Sequence, residues 1–200
     1  MMRKSWLLRA VTAALVVCLA CSAFGLYGTC EEVRHSVLRL HILANSDSDA
    51  DQALKLRVRD AVTAAAAGWL DGAADLDEAK TVAAEKLAAL EAVALETVAD
   101  AGADYPVRAE LCRMYFPTRQ YDDVTLPAGE YDAVRFTIGA GAGHNWWCVV
   151  FPPLCVGAAA DRKTLAQVLS PAGQSLVGGR YVVKFKIVEW AEALLRKLKR

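Results

Sequence analysis

From Ala10 to Tyr27 the chain reads AVTAALVVCLACSAFGLY, eighteen consecutive residues without a charge. Arg3, Lys4 and Arg9 precede this run, and Glu31 and Glu32 follow it. Bases ahead of an apolar segment orient its N-terminus towards the cytoplasm, so the downstream chain is predicted to be exported. Eighteen residues are short for a helix that crosses a bilayer and slightly long for the core of a cleavable signal. Ala20-Cys21-Ser22-Ala23 and Ala23-Phe24-Gly25 supply the small residues that signal peptidase accepts. Residues 1–30 are therefore read as a signal peptide or an N-terminal membrane anchor, and residues 31–200 as one extracytoplasmic domain. Lipidation at Cys21 fits less well, because Cys18 occupies the position three earlier where an aliphatic side chain is needed.

The rest of the composition narrows the classes of function. The whole chain carries 23 basic and 23 acidic residues. Without Arg3, Lys4 and Arg9 the exported part is close to neutral, and it lacks the concentrated basic footprint that nucleic-acid binding requires. Of six cysteines, Cys18 and Cys21 lie in the apolar run; Cys30, Cys112, Cys148 and Cys155 remain in the exported part. An even number in an oxidising compartment favours disulfides, and four cysteines allow three pairings.

Hydrophobic periodicity predicts an α+β domain. Ser36 to Leu43 alternates, with Leu38, Leu40 and Ile42 on one side and Arg39 and His41 on the other, the pattern of a half-buried strand. Asn45 to Asp51 is rich in turn and cap residues, and Ser48 with Asp51 resembles a capping box. Leu54, Val58, Ala61, Val62, Ala65 and Trp69 then recur at helical spacing. A second helix is expected from about Leu76 to Asp100, ended by Gly102. From Tyr105 the period becomes two: strands are expected over Val107–Phe116, Glu130–Ile138 and Trp146–Phe151, the last central because it is apolar on both faces. Residues 156–180 read as a loop-rich excursion with one short helix. Tyr181–Val188 reads as a final strand, with a terminal helix over Glu189–Lys199. The expected architecture is a mainly antiparallel sheet with helices packed on one face.

No catalytic apparatus emerges. Asp47-x-Asp49-x-Asp51 opens like a calcium loop, but Gln52 stands at the sixth position and Val58 at the twelfth, so helix capping is the better reading. Gly139 to Gly143 leads into a strand rather than a helix and is followed by no lysine, which removes the phosphate-cradle reading. The three histidines, His35, His41 and His144, form no zinc spacing; no metal and no cofactor are expected. His144 and Cys148 form the one pair resembling a base and a nucleophile, and an exported Cys/His hydrolase acting on cell-wall peptide is the alternative reading. Along an extended strand, however, four residues separate them by roughly 13 Å. Pro152-Pro153 can instead reverse the chain and bring Cys148 within disulfide reach of Cys155. Trp146-Trp147 must send its rings to opposite faces, and an aromatic left exposed beside His144, Asn145 and the Phe151-Pro152-Pro153 corner suits partner binding.

Five segments carry a resemblance. They are Leu38-Arg-Leu-His-Ile-Leu-Ala-Asn-Ser-Asp47, continued by Asp51 to Asp60; Phe116-Pro-Thr-Arg119; Leu126-Pro-Ala-Gly-Glu-Tyr131; Gly143-His-Asn-Trp-Trp-Cys148; and Phe151-Pro-Pro-Leu-Cys155. Together they resemble the stage II sporulation protein R family over about Val37 to Val188. The resemblance implies a signal made in the forespore and exported into the space between the two membranes. There it would activate a membrane-embedded aspartic protease of the sporulation pathway, which removes the pro-sequence of sigma-E. It further supports pairing Cys148 with Cys155, whereas Cys30 and Cys112 fall outside the recognised segments and their pairing stays open. The recognition surface is expected around His144, Asn145, Trp146, Trp147, Phe151 and Pro152, with Phe116 and Arg119 nearby.

Overall fold

The computed structural model describes residues 2–66, 68–70, 72–121, 124–152, 165–178 and 182–198. The apolar run forms part of one helix, α1 (Met2–Arg34). Its length and composition are those of a membrane-crossing helix or a signal sequence, and none of its apolar window is buried by the domain. The last turns differ. Cys30, Val33 and Arg34 are buried, so α1 runs into the domain without a linker.

The domain that follows is α+β. Strand β1 (Leu38–Leu43) leads to α2 (Asp49–Ala66) and α3 (Leu76–Asp100), then to β2 (Val107–Phe116), the short β3 (Arg119–Tyr121) and β4 (Val124–Leu126), β5 (Gly129–Ile138) and β6 (Asn145–Phe151). Helices α4 (Leu165–Val168), α5 (Pro171–Val177) and α6 (Val182–Leu198) close the chain. Local chemistry sets the boundaries. Ser48 Oγ accepts the Asp51 N–H at the start of α2. Asp75 accepts from the Glu78 N–H while the Glu78 carboxylate accepts from the Ala74 N–H, a reciprocal cap that starts α3.

Four strands form the main sheet in the order β2-β5-β1-β6, and β3 pairs with β4 in a separate ribbon. β2–β5 and β1–β6 are antiparallel, whereas β1–β5 is parallel, so the sheet is mixed. Leu38, Leu40, Ile42, Val134, Phe136, Ile138, Cys148 and Val150 point to one face and pack on α2 and α3. Burying each of these larger apolar side chains contributes about 1.5–3 kcal/mol, which favours one register of the sheet.

The opposite face is covered as well, which the expectation of helices on one face did not include. Val37, Phe116, Tyr131, Ala133 and Val149 form a second core with Cys30 and Val33 of α1, Leu126 of β4, Leu165 and Leu169 of the α4 region, Leu176 and Val177 of α5, and Val188 of α6. Two readings change in consequence. β6 is at the edge of the four-stranded sheet rather than central, and it is apolar on both sides because two cores flank it. Arg39 and His41, expected on a polar face, are 0% and 4% exposed.

The expected strand at 181–188 is also corrected: residues 182–188 begin α6. Val188, Glu192 and Arg196 recur every four residues. Val188 enters the second core, Glu192 meets Arg34 at 2.9 Å, and the Arg196 guanidinium lies 3.7 Å from the Tyr115 ring centre. A helix brings these three side chains to one face, while the alternating Val-Lys-Phe-Lys stretch is too short to separate strand from helix by periodicity. The 156–180 excursion contains two short helices, α4 and α5, among its described residues.

Candidate functional site

The loop between β5 and β6 is fastened to the segment between β1 and α2. Asn45 Oδ1 accepts the Ala140 N–H at 2.9 Å, and the Ala44 and Asn45 carbonyls accept from Gly143 and Ala142. Asp47 Oδ1 accepts the His144 backbone N–H at 2.6 Å and lies 2.5 Å from His144 Nδ1. Hydrogen bonding from His144 holds the Asp47 carboxyl below its ordinary range. Asp51 accepts from Ser46 Oγ and Asn45 Nδ2, and those bonds lower its pKa likewise. Buried Lys55 of α2 donates to the His144 carbonyl at 2.9 Å, and burial lowers its pKa. Glycine is required here for contact. A Cβ on Gly139, whose φ is +55°, would collide with the Asn45 amide, and one on Gly143 with the Ser46 carbonyl.

On the second-core face, cations and rings stack through the sheet. The guanidinium of Arg119 lies 4.3 Å from the Trp147 ring centre; Trp147 is 6.1 Å from both Phe116 and His41. Below them Arg39 sits 4.1 Å from the Phe116 centre and 4.9 Å from that of Tyr131, and donates to the Tyr121 hydroxyl. Nε and Nη1 of Arg39 have no hydrogen-bond partner among the described residues. Burial lowers the pKa of His41, so the ring is held neutral. Trp146 takes the other face, where Arg59 of α2 lies 4.5 Å from its ring centre.

The stage II sporulation protein R family matches residues 34–161 of the chain. The chain belongs to this family. Stage II sporulation protein R of Bacillus subtilis (strain 168) is 46% identical over 118 residues, which are 59% of this chain and 53% of that protein. The chain thus aligns with about half the length of this curated relative. No solved structure matches the chain at a comparable level of significance.

The family match begins at the buried Arg34 and takes in α2, α3, the main sheet and the β3–β4 ribbon, leaving α4, α5 and α6 beyond it. Two segments far apart in this family member, Leu38–Asp60 and Gly143–Cys148, meet through Asp47 and His144. Of the residues expected at a recognition surface, His144, Asn145 and Arg119 are exposed and Trp146 and Trp147 are half-buried. Phe116, Phe151 and Pro152 are interior and support that surface from beneath. The Phe151–Pro152 peptide bond is cis.

Cys148 is buried and disulfide-bonded; its expected partner, Cys155, lies outside the described residues. His144 turns to Asp47 rather than to Cys148. Burial raises the pKa of the Cys112 thiol, which keeps it protonated. Asn45, Asp47 and Lys55 position His144 from another part of the chain. Sequence reasoning assigned Asp47 to helix capping and gave Lys55 no role, because only the folded chain brings residue 47 to residue 144. The Asn-Ser-Asp run beside a strand end was the available signal.

Proposed function

We propose that this family member is an exported, non-enzymatic sporulation signal that acts by touching a membrane-embedded aspartic protease. In this reading the protease then removes the pro-sequence of sigma-E and links forespore to mother-cell gene expression. The observation that carries the reading is the buttressed corner. Asp47, Asn45 and Lys55 fix the backbone around His144, so that His144, Asn145, Arg119 and the edges of Trp146 and Trp147 are presented on a rigid support. Pre-organised aromatic and arginine side chains are what a small recognition surface needs, because little entropy is lost when the partner docks. A ligand of this kind shifts its partner only if it binds the active state better than the inactive one.

The hydrolase alternative finds less support. A thiolate nucleophile needs a free, ionised sulfur within reach of a base, whereas Cys148 is oxidised and His144 is engaged by Asp47.

Co-expressing the full chain with the protease and pro-sigma-E tests the reading. Processing is expected to depend on the chain, and processing that proceeds equally without it would defeat the proposal. Within that assay, Arg119→Ala and Trp147→Ala are expected to lower processing by at least about tenfold, the scale of a recognition hot spot. Arg119 is exposed, so the first variant should keep its fold by circular dichroism and still lose activity.

A further inference from the structure

Helix α6 presents a face that the domain does not cover. Trp190, Leu194 and Leu198 recur every four residues and are 76%, 59% and 74% exposed. They lie on the side of the helix away from the attachment made by Val188, Glu192 and Arg196; Trp190 and Leu194 are each roughly 160° around the axis from Glu192. The acids of α6 are engaged, Glu192 by Arg34 and Glu189 by Lys186 at 2.9 Å. Lys197 is exposed beside the stripe, about 20° around the axis from Trp190 and about 60° from Leu194. A tryptophan-led apolar stripe with a lysine at its side is the pattern of a helix lying in a membrane interface.

The place where α6 is fastened points to the same surface. Glu192 holds Arg34, in the last turn of α1, and the Arg34 guanidinium lies 5.9 Å from the ring centre of Tyr27, the last residue of the apolar run. From Tyr27 to Arg34 is about 10 Å of helix. α6 is therefore pinned at the foot of α1, where a bare apolar surface that includes Leu15, Leu19, Phe24 and Tyr27 leaves the domain. We propose that the Trp190–Leu194–Leu198 face of α6 lies in the outer leaflet beside α1, a second membrane contact that fixes the domain's orientation on the lipid surface. The proposal rests on α1 being retained in the bilayer.

Tryptophan quenching by lipid tests it with the full chain in phosphatidylcholine–phosphatidylglycerol vesicles whose acyl chains are brominated close to the headgroup. Trp6 reports α1 and Trp190 reports α6; Trp69, Trp146 and Trp147 belong to the domain and form the unquenched background. The Trp6→Phe chain is expected to keep a quenchable component, and the Trp6→Phe/Trp190→Phe chain to lose it, with quenching down at least about twofold, as for a ring withdrawn from the acyl boundary. A Trp6→Phe chain that bromolipid does not quench overturns the proposal, including the outcome in which a second copy shields Trp190 from both lipid and acrylamide. Loss of quenching in the unmodified chain as well also overturns it, because α1 is then not in the bilayer.

Discussion

Arg39 carries its charge into the second core with no carboxylate partner among the described residues. Two effects of similar size oppose each other there. Desolvating a guanidinium costs several kcal/mol, while contacts with the faces of Phe116, Tyr131 and Tyr121 return on the order of 2 kcal/mol each at best. Arg39→Met keeps the volume and removes the charge, so its stability is expected within about 1.5 kcal/mol of the parent, whereas Arg39→Ala leaves a cavity and costs about 2–5 kcal/mol. Urea unfolding of the two variants checks this, and equal losses would mean that the cation–ring contacts dominate. His41 gives a pH signature. Its folded pKa is lowered from 6.5 by burial, so the unfolded chain takes up the proton first as pH falls. Stability is expected to decline as pH drops below about 6.5, and His41→Phe should remove that slope in urea midpoints compared across the range.

At the scale of elements, the junction between the β1–α2 segment and the β5–β6 loop is tight. Gly143→Ala must displace the Ser46 carbonyl and is expected to lower stability by about 1–3 kcal/mol, read as a shift in the thermal midpoint. Asp47→Asn addresses the same junction without adding bulk. The depressed pKa of Asp47 means that its contact with His144 is complete above the ordinary carboxylate range and is lost as pH falls through the lowered value. In amide exchange, the His144 N–H of the parent is expected to lose protection on acidification. In Asp47→Asn, whose neutral Oδ1 can still accept this N–H, the pH dependence should disappear, and protection that still falls on acidification would show that the carboxylate does not hold the loop.

For the whole molecule, the sheet separates two cores of different origin. One is built by α2 and α3 within the family match. The other draws on both ends of the chain, with α1 contributing Cys30 and Val33 and α6 contributing Val188. Truncation after Gly178 is therefore expected to destabilise the second core as well as to remove α6, since Arg34 loses Glu192 and Tyr115 loses Arg196. Thiol counting reads the redox state of the whole chain. With Cys148 paired to Cys155, denatured but unreduced protein should titrate as four free thiols, from Cys18, Cys21, Cys30 and Cys112, and reduced protein as six. Six free thiols before reduction, with Cys148 reactive among them, would reopen the hydrolase reading.

Much of this was legible in one dimension. The uncharged run between bases and acids, the helical stripe of α3 and the alternation in β2 and β5 each express a local period, so the elements and the α+β class follow from spacing alone. Residue order also sends Trp146 and Trp147 to opposite faces. Spacing does not reveal what covers a face. The alternation of β1 reads as one apolar and one wet side, and only the arrival of α1, α4, α5 and α6 made Arg39 and His41 interior. The same holds for Asp47 with His144, for Glu192 with Arg34, and for the helical state of residues 182–188. Each depends on partners brought together from distant parts of the chain, and such contacts are settled by packing in three dimensions rather than by any local period.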